Sequence, residues 1–405
     1  MTEKTRRRGA LALIAIVYAT MLMFGLVENI KSVAYPLIKG EFAASYSAQG
    51  GLVSVSWFGY VIFCMAAGFF QHRFGGRNTL LMGYGLVVAG AVATLAAPSF
   101  WAVSATMVII NMGFGFFEVG TNALGTRLFT TRTALMMSLM HFFYGFGAIV
   151  GPKAAGLMIG TLSFGWRQVY LAIIIPLGLL FLFILTQRGR ETAVDDKPVP
   201  GALTFWGAFR TPLVWVFALA LGFMEVVEFG AANWGGLHLK DVYGLNPETT
   251  GATFVSAFYV LFTLARLFGG LAVERLGYVR SLYLSIGGTL LVYLIGFALG
   301  LRGIWVLPVS GLFIAVMWPT MLAVAMKAFG SDAPNATSAI ITISGAVNGV
   351  MQWVIGLINQ GMGEAWGYRS CFVWSVIMLA AMALLQWWLK ARPYRLGGME
   401  EATHG

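Results

Sequence analysis

Residues 68–78 read GFFQHRFGGRN, and residues 270–280 read GLAVERLGYVR. Each stretch opens on a glycine, places an arginine five residues on and a second glycine two after that: Gly68, Arg73 and Gly75 in one, Gly270, Arg275 and Gly277 in the other. The two are 202 residues apart, half of a 405-residue chain. Each is a short basic interruption between long apolar segments, and each falls between the second and third segment of its half. A loop repeated at the same place in both halves points to a duplicated helical unit.

The composition around these loops excludes an ordinary soluble protein. Apolar residues make up 59% of the chain and charged residues 10%, against about 25% charged in soluble domains. A hydrocarbon core needs about 20 largely apolar residues per crossing. Such segments lie near 10–37, 47–70, 79–97, 101–125, 135–161 and 168–187, then 211–236, 250–272, 281–301, 305–328, 336–361 and 370–389. The expected fold is therefore all-α and membrane-embedded, with twelve transmembrane helices in two six-helix bundles: residues 1–188 and 211–405, joined by a polar linker at 189–210. The basic N-terminus runs into the first apolar segment with no small-residue cleavage site, so it reads as a first span and not a signal peptide.

Lysine and arginine concentrate in cytoplasmic loops of polytopic proteins. With the N-terminus inside, eighteen of the 26 fall on the inner side and five (Lys39, Arg167, Lys240, Arg302, Arg369) on the outer. A multi-pass protein of the cell inner membrane with both termini cytoplasmic is expected. The net charge of +10 is explained by those loops and gives no reason to invoke nucleic acid. The partners expected are the bilayer, a small-molecule substrate and protons, with the chain acting as a monomer. Cys64 and Cys371 lie in apolar runs, and no spacing suggests a disulfide framework, a metal site or a cofactor.

Charges inside spans are costly and so mark function by default. The inventory is Glu28, Lys31, Glu118, Lys153, Glu225, Glu228 and Arg266, with His141 a possible addition. Glu118 lies mid-span in GFGFFEVGTNALG (113–125), with Asn122 one turn on along the same face; a desolvated carboxyl there can exchange a proton, or be permanently paired with Lys153 or Lys31. In GFMEVVEFGAANWGG (222–236), Glu225 and Glu228 share a face ahead of Asn233 and Trp234. Two carboxylates so close do not both ionise cheaply in a dry site, unless Glu225 simply faces a helix interface. Glu28 and Lys31 are spaced to pair on one helix. Lys153 follows Gly151-Pro152, where proline frees a carbonyl, and is expected to neutralise Glu118 or meet an anionic substrate. Residues 343–360, ISGAVNGVMQWVIGLINQ, set Asn348, Gln352 and Asn359 on one stripe beside Trp353. That stripe suits either interhelical hydrogen bonding or a sugar.

These residues carry a resemblance. The 68–78 loop resembles the signature loop of the major facilitator superfamily, Gly-x-Leu-Ala-Asp-Arg-x-Gly-Arg-Arg or Lys, at Gly68, Arg73, Gly75 and Arg77. His72 stands where the family has aspartate, and the second copy keeps an acid at Glu274. Within the superfamily, Glu118-x-x-x-Asn122, Glu228 with Trp234, Ala265-Arg266-Leu-Phe-Gly-Gly and Trp318-Pro319-Thr320 resemble segments of the fucose–proton symporter family. There, the resemblance implies, the acid equivalent to Glu118 couples protons and binds substrate. One departure lies in the first span: with the prolines aligned, that family's acidic site falls at Ser32, and Glu28 sits one turn earlier. The run Gly147-Ala-Ile-Val-Gly151-Pro152 also resembles a motif common in proton-coupled drug exporters.

The expected activity is thus secondary transport and not enzymology: proton-coupled uptake of a small neutral or anionic polar solute, such as a sugar or sugar acid, by alternating access. Proton-coupled export of drugs or other amphiphiles is the alternative. Glu118, Glu228 and Glu28 are the expected proton carriers. Lys31, Asn122, Lys153, Glu225, Asn233, Trp234, Asn348, Gln352 and Trp353 are expected to bind substrate, and Arg73, Arg77, Arg266, Glu274 and Arg275 to gate.

Overall fold

The computed structural model describes residues 3–129, 133–187 and 203–391. Among them are twelve helices long and apolar enough to cross a membrane, and no strands. They are α1 Leu11–Glu41, α2 Tyr46–Gln71, α3 Arg73–Leu95, α4 Phe100–Gly125, α5 Met136–Gly160, α6 Trp166–Thr186, α7 Pro212–Tyr243, α8 Pro247–Leu276, α9 Tyr278–Ala298, α10 Gly300–Phe329, α11 Asn335–Met362 and α12 Trp366–Lys390. Each overlaps a segment expected from hydropathy. Most of the linker (189–202) lies outside the described residues. Its end, Phe205–Ala208, is a helical turn capped by the Thr204 hydroxyl.

The two motif loops share their backbone as well as their residues. Gly75, at the start of α3, has φ 80° and ψ 161°. Gly277, between α8 and α9, has φ 84° and ψ 148°. This region is essentially closed to residues with a Cβ, so the repeated glycine marks a repeated sharp turn. Arg77 fixes the first turn by donating from Nε and a terminal nitrogen to the carbonyls of Ile184 and Leu185, at the end of α6 (3.0 and 3.1 Å).

Buried side chains form two clusters. One draws on residues 13–184 plus Ala252, the other on residues 208–385 plus Ala148. The contacts joining the two halves concentrate at one end of the molecule. There the Lys39 ammonium lies 4.0 Å from the Asp241 carboxylate, and the Tyr46 hydroxyl donates to Asp241 at 2.8 Å. Lys240 donates to the Pro36 carbonyl, and the Gln360 side chain accepts from the Tyr46 amide (3.3 and 3.0 Å). From this closed end a seam of α2 on α11 and α5 on α8 runs inward. It continues through the Ser256 hydroxyl on the Ile149 carbonyl (2.8 Å), to Gly145 beside Thr263 and Val61 beside Gly345.

Two helices are irregular where they meet the centre. α7 carries a π turn at Ala231–Gly235, a form frequent at functional sites. α10 is assembled from short 3₁₀ and α pieces before it becomes regular at Met317–Phe329. Pro319 cannot donate to the Ala315 carbonyl one turn back, and that carbonyl accepts instead from Arg266 Nε at 3.4 Å.

Candidate functional site

Three carboxylates and one guanidinium converge beyond the inner limit of the seam. Glu118 and Asn122, in the last third of α4, are only partly buried, and Asn122 Nδ2 donates to Glu118 Oε1 at 2.9 Å and to its carbonyl at 2.8 Å. Glu228, on α7, is buried. Arg266, on α8, lies within electrostatic reach of both Glu118 and Glu228, and of His141 on α5. Its guanidinium also stands 4.5 Å over the Phe262 ring, an arrangement that offsets part of its desolvation.

The third carboxylate is bracketed by donors. Glu28 is 5% exposed and Lys31 7%. The Lys31 ammonium lies 3.3 Å from Glu28 Oε1, and the Tyr144 hydroxyl donates to Oε2 at 2.5 Å. Such charge-assisted bonds are about twice as strong as neutral ones, and the one from Tyr144 ties α5 to α1. The Lys31 ammonium also faces the Phe229 ring of α7 at 5.6 Å. Tyr60 and Tyr259 complete the shell: the first feels the charges of Glu28 and Glu118, the second those of Glu28, Glu228 and Arg266.

A chain of amides links α7 to α11. Trp234 Nε1 donates to Gln352 Oε1 (2.8 Å), and Gln352 Nε2 donates to Asn348 Oδ1 (2.9 Å), all three fully buried. Glu225 faces the same helix and accepts from the Ser344 hydroxyl at 3.2 Å, the interface alternative left open for it above. Other polar atoms here have no protein partner: both side-chain atoms of Asn233 and of Gln49, Asn348 Nδ2 and Trp57 Nε1, all buried. Buried polar groups are nearly always hydrogen-bonded, so a cluster without partners calls for an explanation.

The structure therefore gathers Glu28, Lys31, Glu118, Asn122, Glu225, Glu228, Asn233, Trp234, Asn348, Gln352 and Arg266, and corrects several expectations. Lys153 is exposed on the face of α5 that also carries Phe146 and Leu157, and its ammonium donates to the Thr253 hydroxyl at 2.5 Å. It reaches neither Glu118 nor the centre, because its position on the helix aims it outward. Trp353 is 45% exposed in an apolar stripe with Val350 and Leu357, one residue round the helix from Gln352. Arg266, expected to gate, lies among the charged residues of the centre. Arg77 is occupied in tying α3 to α6 within one half, and Arg73, Glu274 and Arg275 are exposed, without an ion pair among the described residues. Tyr144, Tyr60, Tyr259, Ser344 and Gln49 were not anticipated; Tyr144 meets Glu28 across 116 residues and Ser344 meets Glu225 across 119, while the Gln49 side chain has no hydrogen-bond partner at all. Among the described residues no group of three His, Cys, Asp or Glu side chains offers a metal site.

A family model described as Major Facilitator Superfamily matches residues 17–352. The chain belongs to that superfamily. A curated glucose/galactose transporter of Brucella abortus is 21% identical over 394 residues, covering 91% of this chain and 92% of its own. Among solved structures, a variant of the nucleoside transporter NupG superposes with TM-score 0.77 at 13% identity, covering 93% of this chain and 99% of its own. The E. coli fucose:proton symporter FucP superposes with TM-score 0.63 at 17% identity, covering 92% and 98%. At these identities the structural likeness establishes the major facilitator fold and no more.

Proposed function

We propose that the protein is a proton-coupled importer of a small polar solute of the sugar class, working by alternating access between two six-helix units (1–188 and 211–405, linked by 189–210). We place it as a monomer in the cell inner membrane with both termini cytoplasmic, as the lysine and arginine distribution favours. On that topology the closed end described above faces outward and the site is open to the cytoplasm. The observation that carries the reading is the juxtaposition of carboxyl groups with polar side chains that lack partners. Glu118 and Glu228 flank one arginine, while Asn233 and Gln49 present both donors and acceptors, and Asn348 Nδ2 and Trp57 Nε1 present donors, with nothing to bond. A polyol supplies both kinds of partner at once; a hydrophobic export substrate supplies neither. The sugar transporter among the curated relatives points the same way.

The relocation of Lys153 changes the charge of the site. The centre holds Glu28, Glu118, Glu225 and Glu228 against Lys31 and Arg266, which sums to −2 with every acid ionised and to zero with two protonated. The Lys31 ammonium is already engaged by Glu28. A neutral solute fits this site better than an anionic one, since a desolvated anion needs an uncommitted cation. The test is uptake into proteoliposomes under an imposed pH gradient. Glu118→Gln is expected to abolish proton-driven accumulation while preserving counterflow exchange, because the amide imitates the neutral acid. Wild-type accumulation in that variant would remove Glu118 from the mechanism.

A further inference from the structure

At the closed end, on the outer face of the second half, a cavity of about 440 Å³ opens between α9 and α12. Its walls are apolar: Leu294 and Phe297 of α9, Met362 at the end of α11 and Val373 of α12. Leu294, Met362 and Val373 are 57%, 62% and 50% exposed, so the groove faces outward, away from the site described above. Its rim carries Trp366 and Arg369, with the guanidinium 6.0 Å from the indole. Arg369 Nε is buried and has no hydrogen-bond acceptor, and no carboxylate of the described residues lies within 4.0 Å of the side chain, although Glu364 stands in the same loop.

An arginine stripped of water on one edge and left unpaired is costly. It sits at the end of a span beside an exposed tryptophan, where membrane proteins place interfacial aromatics. From here we infer that the α9–α12 groove is a binding site for an anionic phospholipid, with one acyl chain along Leu294, Phe297 and Val373 and the headgroup phosphate on Arg369. Two features choose this occupant. The phosphate supplies the acceptor that the guanidinium lacks, in the planar geometry arginine favours for phosphates. The apolar groove running from that contact accommodates a hydrocarbon chain, which a free anion in water does not possess. Basic pockets between spans on the cytoplasmic side recognise lipid headgroups by this chemistry, and this groove sets the same groups at the opposite end of the spans. The inference is independent of the transported solute.

Purified, delipidated full-length protein is mixed in detergent with phosphatidylglycerol, with phosphatidylcholine of the same acyl chains, or with inorganic phosphate, and followed by native mass spectrometry and thermal melting. Phosphatidylglycerol is expected to give a retained one-to-one adduct and to raise the melting temperature more than phosphatidylcholine, with phosphate alone inert. Arg369→Gln is expected to weaken phosphatidylglycerol binding about tenfold or more, the size of one charge-assisted contact. Leu294→Trp, which fills the groove from an exposed position and does not disturb the core, is expected to abolish the adduct while leaving the unliganded melting temperature near wild type. Equal binding of both lipids, equal binding by either variant, or an effect reproduced by phosphate alone would each overturn the assignment.

Discussion

Replacing Asp241 by asparagine tests how the closed end is held. The carboxylate accepts from the Tyr46 hydroxyl at 2.8 Å and faces the Lys39 ammonium at 4.0 Å. Both partners lie in the first half and Asp241 in the second, so any opening at this end breaks both contacts. A hydrogen bond to a charged group contributes about 1.5–3 kcal/mol. An ion pair at the distance limit whose side chains, like these, are only 19% and 16% exposed contributes about 0.2–1 kcal/mol. The substituted side chain keeps an amide oxygen as acceptor and loses the charge, so roughly 1.5–2 kcal/mol of closure should disappear. The Lys240–Pro36 and Gln360–Tyr46 contacts remain. All of the loss is differential between the two states and moves their equilibrium by about tenfold to thirtyfold. Spin labels at the exposed positions Thr161 and Met362, in a background lacking Cys64 and Cys371, report the distance across that end by pulsed electron resonance. The longer-distance population should grow by that factor in Asp241→Asn. Tyr46→Phe should act through the same bond, so the double variant should fall short of the sum of the two singles. An unchanged distance distribution, or strict additivity, would refute the role assigned to Asp241.

Gly277→Ala should cost about 1–3 kcal/mol from backbone conformation alone, since no atom lies within 4 Å of the added methyl; a thermal melt in detergent reads it, and an unshifted midpoint contradicts the strained turn. Gln352→Leu should cost about 1–3 kcal/mol by stranding the Trp234 indole N–H, and adding Trp234→Phe should recover part of that loss in the same melt. Lys153→Ala should leave the rate and KM of solute uptake near wild type, whereas a large rise in KM would return Lys153 to the site.

Hydropathy and one repeated loop carried most of the architecture, because each crossing declares itself over some twenty residues and each motif glycine must occupy a turn that only glycine enters. Depth in the membrane is written in such windows; direction around a helix is written more faintly. Lys153 shares its face with Phe146 and Leu157, and Trp353 shares one with Val350 and Leu357. Those spacings were present in the chain, but they distinguish an outward face only once neighbouring helices are in place. Glu225 and Glu228 were legible as a pair, and their different surroundings were not, since Ser344 and Arg266 come from other helices. Tyr144 was least visible of all. Its hydroxyl meets Glu28 across 116 residues, and a tyrosine among phenylalanines reads as apolar filling.

Arg266 is bound to the second half twice over, by Phe262 on its own helix and by the Ala315 carbonyl that the break in α10 exposes. Glu228 belongs to that half as well, and Glu118 to the other. The separation of Arg266 from Glu228 is therefore fixed within one half, and its separation from Glu118 depends on how the two halves sit together. In a medium of low dielectric the interaction of two charges varies inversely with their distance and is little screened. A single tethered cation thus serves as a gauge of the angle between the halves, read by one acid and ignored by the other. The electrostatic surroundings of Glu118, unlike those of Glu228, depend on how one half is seated against the other.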